Sequence, residues 1–229
     1  MTTRKPIFTR ETFRFFRDLA RHNQKTWMDA NRERYQLCVV RPFRRLLEAT
    51  APAVLQLDSR FDTFGRRGAN FSRINRDTRF AKDKTPYRAQ MYLRFTARLP
   101  GGRESGWLYA GIFAHESTAG YAIYAGAKRK ESSLALVAES RVQANPKWLA
   151  QQKRRLARRY ESYWYTTEKG EWTKHDGWPT KPEDWKKIRG WVVRRKLANA
   201  AVMRASYPRD LAKIFQELYP LLRFTSLPD

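Results

Sequence analysis

The sequence predicts an α+β protein in which a central antiparallel sheet, a meander, is packed by N-terminal and C-terminal helices. Three observations lead to this class: apolar residues recur at helical spacing in residues 9–57, alternate at strand spacing within residues 61–127, and return to helical spacing, with a small hairpin, in residues 131–224. No internal repeat or long linker interrupts the chain. We therefore expect a single domain over residues 1–229.

The N-terminal segment predicts three helices. Thr9 is the expected N-cap of the first helix, because its hydroxyl can accept a hydrogen bond from the first turn. Trp27, Asn31 and Tyr35 follow at intervals of four, which places them along one side of the second helix. In the third helix, Pro52 lacks a backbone donor and is expected to shorten or kink it.

The middle of the chain predicts four short strands, at residues 71–75, 90–99, 107–115 and 121–127. Glycine-containing turns at residues 100–102 and 116–120 join the last three strands. A parallel return needs a crossover of a dozen or more residues, so these short connections require antiparallel pairing.

The C-terminal part returns to helices. One helix is predicted at residues 132–143, a second follows the N-cap Asn145, and a third lies in the tail, where Leu211, Phe215 and Leu218 form an apolar stripe. Between them, residues 163–174 predict the small hairpin.

The composition is strongly basic for a foldable chain. There are 47 Lys and Arg against 22 Asp and Glu, a formal net charge of +25 at pH 7, while 41% of the residues are hydrophobic. Such a charge attracts polyanions, among which nucleic acid is the commonest. The alternative is that scattered surface arginines only serve solubility.

Several other classes of protein are excluded by simple patterns. Every apolar run is far shorter than a membrane span, and the N-terminus lacks the apolar core of a secretion signal. The one cysteine, Cys38, cannot form an internal disulfide, so we expect a cytoplasmic protein. The three histidines lack zinc-site spacing and no phosphate-binding glycine loop is present, so we predict neither a metal site nor a cofactor.

The densest charge pattern lies in residues 71–88, which we call the basic loop. The candidate anion-binding residues are Arg73, Arg76, Asp77, Arg79, Lys82, Asp83, Lys84 and Tyr87, and Arg88 ends the segment. Arginine forks bind phosphate or carboxylate in a bidentate manner, and aspartates beside cations stay ionised and can orient those forks. The same aspartates can instead cap turns in a purely structural network.

The run of residues 76–87 resembles the signature of the uncharacterised family called domain of unknown function 2461. Spaced residues of the N-terminal helices resemble a second pattern of that family: Asn23, Trp27, Asn31, Arg32 and Tyr35. Two departures are visible, since Ala81 replaces a small hydroxyl residue and residues 178–195 stand where many members have a Lys-Arg-x-Pro-x-Gly and Asp-His-Pro segment. The resemblance implies a single α+β domain and supplies no activity, cofactor or partner.

Two further patterns suit contact with a polyanion. A secondary basic stripe follows one predicted helix and consists of Lys147, Arg154, Arg155 and Arg158. Seven aromatic residues, six of them tryptophans, crowd the C-terminal half among lysines and arginines. Most of these are expected in the core, and only those left exposed beside cations would stack on unpaired bases.

The leading hypothesis is a protein that binds an anionic ligand, with nucleic acid first, through the basic loop. One alternative is an enzyme acting on a small phosphorylated or carboxylated molecule, with Asp77 or Asp83 as base and Tyr87 as proton donor. The second alternative is a protein-interaction scaffold in which the signature is architectural.

Overall fold

The computed structural model describes residues 5–98, 106–124, 133–168 and 171–226. The helices are α1 Arg10–Arg21, α2 Lys25–Ala30, α3 Arg32–Tyr35, α4 Arg41–Leu57, α5 Ser133–Ala144, α6 Pro146–Leu156, α7 Pro182–Trp185, α8 Asn199–Val202 and α9 Tyr207–Ser226. The strands are β1 Gln90–Thr96, β2 Trp107–Phe113, β3 Glu116–Tyr124, β4 Glu161–Glu168, β5 Glu171–Asp176 and β6 Gly190–Ala198. This content confirms the α+β class.

The strands form one antiparallel sheet with the order β1-β2-β3-β6-β4-β5. The first three strands follow the chain as a meander, as predicted. The predicted hairpin is also present as β4 and β5, with Tyr165 opposite Lys174. However, it is not a separate element, because β6 pairs with β4 and places Gly190 opposite Tyr165. The sheet therefore extends well beyond residues 61–127.

The strand β6 is absent from the sequence prediction. It begins inside residues 178–195, the segment that departs from the family pattern, and ends three residues after it at Ala198. The short helix α7 lies earlier in the same segment. Its first four residues are buried and its later ones are partly exposed. Such a short apolar run fits a strand or a buried helix equally well, so only pairing with β3 and β4 decides between them.

The predicted turn at residues 116–120 is wrong, because β3 begins at Glu116. Gly120 explains the difference. A Cβ atom at this position would lie 2.5 Å from the Val193 carbonyl oxygen and 2.9 Å from the Arg194 Cα. The absence of a side chain at this position therefore allows the β6 backbone to pack closely against β3, and the glycine does not form a turn.

The predicted strand at residues 71–75 is also wrong. Phe71 and Asn75 make only isolated bridges, with Leu93 and Tyr87 respectively. The segment before β1 is thus an irregular loop that touches the sheet at single points. The predicted turn at residues 100–102 and the end of the strand predicted at 121–127 lie outside the described residues.

The N-terminal helices differ from the prediction in two details. Asn31 interrupts the expected second helix and separates α2 from α3, with its side-chain amide donating to the Trp27 carbonyl at 3.0 Å. From Arg32 the chain runs through a π-helical turn, Gln36–Val40, directly into α4. Pro52 does not shorten α4, which continues past it to Leu57, and the proline lies on the exposed side of the helix.

Two compact units divide the chain, and each has its own core. Unit 1 comprises Met1–Phe95, Tyr109–Ala119 and Lys196–Lys213, and its buried side chains include Phe15, Phe16, Leu19, Phe43, Phe95 and Leu211. Unit 2 comprises Thr96–Leu108, Gly120–Arg195 and Ile214–Asp229, and its buried side chains include Tyr121, Leu156, Trp185, Trp191, Phe215 and Leu222. The basic loop belongs to unit 1 and the secondary basic stripe to unit 2.

Candidate functional site

The basic loop is closed at its base by backbone hydrogen bonds. The Arg76 N–H donates to the Pro86 carbonyl and the Arg88 N–H donates to the Ile74 carbonyl, both at 2.8 Å. The intervening residues 77–85 therefore project from a fixed two-stranded stem. These nine residues carry three of the six cations of the basic loop: Arg79, Lys82 and Lys84.

Asn23, at the start of the second family-like pattern, anchors that stem. Its side-chain amide donates to the Tyr87 carbonyl at 2.8 Å and accepts from the Tyr87 N–H at 3.0 Å. The Tyr87 side chain is buried. A primary amide can satisfy both backbone groups of one residue at once, so Asn23 replaces a neighbouring strand at this point.

Arg32 belongs to the same neighbourhood. Its guanidinium pairs with Asp29 at 2.6 Å, and this hydrogen bond, together with the nearby Tyr87 and Tyr35 hydroxyls, raises the pKa of Arg32. Burial raises the pKa of Tyr35, while the charges of Arg67 and Arg32 act in the opposite direction. The two patterns that resemble the family therefore meet in unit 1 through Asn23 and Tyr87, which are 64 residues apart in the sequence.

Both aspartates of the basic loop bind arginines of the same loop. Arg79 donates two parallel hydrogen bonds to Asp77, from Nε to Oδ1 at 2.9 Å and from Nη2 to Oδ2 at 2.7 Å. Arg76 contacts both Asp83 and the Thr85 hydroxyl. The Asp83 carboxylate also accepts the Thr85 N–H at 2.9 Å. Asp77 likewise accepts the Arg79 N–H at 3.3 Å, so each aspartate contacts both an arginine side chain and a backbone N–H two residues further on, an arrangement compatible with the orienting role and with the turn-capping role.

These contacts determine the protonation of both carboxyl groups. The Arg79 hydrogen bonds lower the pKa of Asp77. The Arg76 hydrogen bond, followed by those from Thr85, lowers the pKa of Asp83 to about 2. A carboxylate with such a low pKa is a weak base. With Tyr87 buried, the arrangement does not favour the enzymatic alternative.

The other cations of the basic loop have no carboxylate partner among the described residues. Lys84 donates instead to the Thr78 carbonyl at 3.1 Å and the Arg79 carbonyl at 3.5 Å. The Arg73 and Lys82 side chains are exposed, and no ion pair with a described residue involves either. Only two of the six cations are therefore neutralised locally.

Unit 1 contains two exposed phenylalanines, one of them in the basic loop, that the sequence patterns did not identify. Phe80 is 95% exposed and Phe64 is 69% exposed. The Arg79 guanidinium carbon lies 5.9 Å from the Phe80 ring centre, and Arg66 lies 5.8 Å from that of Phe64. The available sequence signal was an aromatic residue next to arginine inside a polar stretch.

The family model of the conserved hypothetical proteins DUF2461 matches residues 11–224, which is nearly the whole chain. The chain belongs to the DUF2461 family. No curated protein matches it. The match includes both patterns that meet at Asn23 and Tyr87, and it also spans the divergent segment at residues 178–195.

The secondary basic stripe of this DUF2461 protein is only partly available to a ligand. Arg155 donates to the Glu217 backbone carbonyl at 2.8 Å and to the Gln152 side chain, so it is used to hold α9. Lys147, Arg154 and Arg158 are exposed. Arg158 lies beyond the last residue of α6, so the predicted stripe does not continue on the helix.

Fewer of the six tryptophans in the C-terminal half lie in the core than predicted, because Trp148, Trp164 and Trp178 are partly exposed. Trp185 and Trp191 are buried, and Trp148 stacks on Phe224 with ring centres 3.8 Å apart. Trp172 is exposed on β5, with 49% of its surface accessible to solvent.

The described residues of the DUF2461 protein offer little support for other kinds of site. Within the described residues, no three His, Cys, Asp or Glu side chains come together as metal ligands would. Every helix in this part of the chain is too short or too polar to cross a bilayer. Partial burial raises the pKa of the Cys38 thiol, which makes a thiolate nucleophile less accessible at neutral pH.

Proposed function

We propose that this DUF2461 protein binds nucleic acid through the basic loop. The observation that carries the proposal is the set of cations without a carboxylate partner in the described chain, Arg73, Lys82 and Lys84, on a loop whose stem is fixed by Asn23. A stem closed by backbone hydrogen bonds and by Asn23 limits the freedom of the loop, so less ordering is needed when a multiply charged ligand binds. Phosphates of a nucleic-acid backbone supply such charge.

The paired arginines support the same function. The Arg79 and Asp77 side chains are 76% and 61% exposed, and exposed ion pairs contribute only about 0–1 kcal/mol. A phosphate can therefore compete for the guanidinium group, which the aspartate holds in a bidentate orientation beforehand. Arg88 adds to the positive potential of this region. Burial is the main cause of the lowered pKa of Arg94 on β1, and the positive charge of Arg88 lowers this pKa further.

Phe80 favours nucleic acid over a small anion or polyphosphate. An almost fully exposed aromatic ring beside an arginine is costly to hydrate and offers a flat face on which a base can stack. A small phosphorylated molecule needs an enclosed pocket, and a polyphosphate has no ring to stack. The combination of free cations and an exposed ring is typical of nucleic-acid surfaces.

The test is a salt-titrated binding panel of single-stranded DNA, duplex DNA, RNA and polyphosphate. The variant Arg73→Ala/Lys82→Ala is compared with Arg204→Ala/Arg209→Ala, a control that removes two exposed cations of unit 1 outside the loop. We expect the loop variant to lower the slope of log K against log salt by about 1.8 for duplex DNA, since each phosphate contact contributes about 0.9. The control should leave the slope nearly unchanged.

Three outcomes overturn the proposal. The first is the absence of saturable binding by the wild type at low salt. The second is an equal effect of the loop and control variants, which would mean that net charge alone is responsible. The third is tight binding of polyphosphate with weak binding of every nucleic acid.

A further inference from the structure

A row of aromatic side chains crosses one face of the sheet in unit 2. Neighbouring ring centres lie 5.8 Å apart for Trp107 and Tyr124, 5.9 Å for Tyr124 and Tyr165, and 5.8 Å for Tyr165 and Trp172. Each of these four rings comes from a different strand: β2, β3, β4 and β5. We call this set the aromatic row.

The aromatic row lies on the face opposite to the tryptophan core. Side chains alternate along β4, so Tyr165 shares a face with Tyr163 and not with Trp164. Trp164 stacks on His175 at 4.2 Å and is paired in register with Trp191, which is fully buried. The core is therefore built on one side of the sheet, and the aromatic row is not needed to fill it.

Gly190 allows the aromatic row to be continuous. It stands opposite Tyr165 in the register, and a Cβ atom on it would lie 2.5 Å from Cδ1 of Tyr124. The missing side chain lets the Tyr124 ring lie over the β6 backbone and reach Tyr165. Any larger residue would divide the row into two separate pairs.

The outer end of the aromatic row is accessible to solvent. Trp172 is 49% exposed on β5, which is the last strand in the sheet order, and Tyr165 is partly exposed. A connected group of partly exposed rings is unusual on a surface that binds nothing. The Trp172 ring is inclined by 77° to the Tyr165 ring, and as the exposed member of the row it offers a surface on which a flat ligand ring can stack.

Cations border the aromatic row. The Tyr163 ring lies beside the row, with its centre 5.8 Å from that of Tyr165. Lys174 Nζ lies 4.7 Å from the centre of the Tyr163 ring, and the Arg194 guanidinium carbon lies 5.1 Å from it. Their acidic partners, Asp176 and Glu161, are 83% and 47% exposed, so phosphate can compete with these surface pairs. With a chain charge of +25, rings and cations together favour a polyanion that carries bases over a neutral sugar.

We propose that the aromatic row is a stacking surface for the unpaired bases of single-stranded nucleic acid, with Lys174 and Arg194 contacting the flanking phosphates. The inference rests on the proposed function for its ligand class and adds which form of nucleic acid is bound and where. A duplex hides the faces of its bases within the stack, so it cannot use this surface.

The test compares Trp172→Ala with Trp172→Phe, which keeps an aromatic face, and with Leu55→Ala, which removes an exposed apolar side chain from α4. Each variant is titrated with a 20-nucleotide single strand and with the matching duplex at several salt concentrations. We expect Trp172→Ala to weaken single-strand binding roughly 5- to 150-fold, the effect of one stacked base, with little change for the duplex. The salt slope should stay the same, because no phosphate contact is lost. Trp172→Phe should retain most of the affinity.

The outcomes separate this inference from the proposed function. If the wild type binds with the expected salt dependence but Trp172→Ala lowers single-strand and duplex affinity equally or not at all, the stacking surface is overturned and the basic loop stands. If the wild type binds no nucleic acid, both are overturned. Binding of maltoheptaose that Trp172→Ala abolishes would assign the aromatic row to carbohydrate and overturn the inference. Melting temperatures measured for all variants exclude a loss of folding.

Discussion

The side-chain amide of Asn23 forms two hydrogen bonds with the backbone of Tyr87, donating at 2.8 Å and accepting at 3.0 Å. This contact joins the N-terminal helices to the stem of the basic loop within unit 1. The pairing within the stem is short, since Asn75 and Tyr87 form an isolated antiparallel bridge. The amide of Asn23 therefore adds to the two backbone hydrogen bonds that close the stem.

Replacing Asn23 with alanine should destabilise the protein by about 1–3 kcal/mol, because the N–H and carbonyl of Tyr87 lose their partner. Denaturant unfolding followed by circular dichroism measures this effect. The control is Gln56→Ala, an exposed amide on α4, which should change the free energy of unfolding by less than about 0.5 kcal/mol. Equal effects of the two variants would contradict the anchoring role.

Asp83→Asn should make thermal stability less dependent on acid pH. The pKa of Asp83 is lowered to about 2 by Arg76 and Thr85, whereas an aspartate in the unfolded chain has a pKa of about 3.9. The carboxylate therefore stabilises the folded state fully above about pH 5, and this contribution is lost as the pH falls through about 4 towards 2. The difference in Tm between wild type and variant should be constant at pH 5–7 and shrink below pH 4.

Calorimetric scans between pH 2.5 and 7 provide that comparison, with Glu33→Gln, an exposed carboxylate of α3, as a matched control. A Tm difference for Asp83→Asn that stays constant down to pH 2.5 would show that Arg76 does not hold the carboxylate in solution.

Arg79→Ala should leave the Tm within about 2 °C of the wild type, because both members of the pair with Asp77 are largely exposed. This outcome separates binding from the scaffold alternative, in which the arginine is architectural and its loss lowers the Tm markedly. The same preparation is used for nucleic-acid binding, where affinity should fall. A large drop in Tm without a change in affinity would favour the scaffold.

Gly120→Ala should destabilise the sheet by about 1–3 kcal/mol or more, since the new methyl group would lie 2.5 Å from a backbone oxygen that cannot rotate away. Chemical denaturation of the variant measures the loss. The comparison is Ala150→Gly on α6, an exposed helical position where glycine costs about 1 kcal/mol through propensity alone. A Gly120→Ala variant as stable as the wild type would mean that β6 does not approach β3 so closely.

Local sequence patterns predicted the elements whose partners are near in the chain. The N-cap Thr9, the apolar stripe of α9 and the β4–β5 hairpin were all recognisable because helical spacing and short turns act over a few residues. The alternation of β1 also identified its buried face, with Met91, Leu93 and Phe95 inside.

Prediction failed where the conformation of a residue depends on contacts with residues far away in the sequence. Gly120 resembles a turn residue, yet its neighbour is the backbone of β6, more than 70 positions away. Residues 71–75 have a composition typical of a strand, but they form only isolated β-bridges and no continuous ladder. Strand composition expresses packing against neighbours, and these neighbours are not visible in a local window.

The candidate site shows the same division. The cations of residues 71–88 and the resemblance to the DUF2461 family were evident from the sequence, because residue identity alone determines charge and signature. The pairing of Arg76 with Asp83 and Arg79 with Asp77, and hence which cations lack an acidic partner in the described chain, was decided by how the loop folds on its stem.

The amino-acid sequence by itself determined the excess of positive charge, the helix faces and the family of this protein, because these follow from residue identity and from spacing over a few positions. Only the tertiary structure decided that Asn23 holds Tyr87, that Gly120 admits β6 and that four strands align their rings in the aromatic row. The physical reason is that these contacts join residues far apart in the chain, and their geometry exists only once the backbone between them has closed.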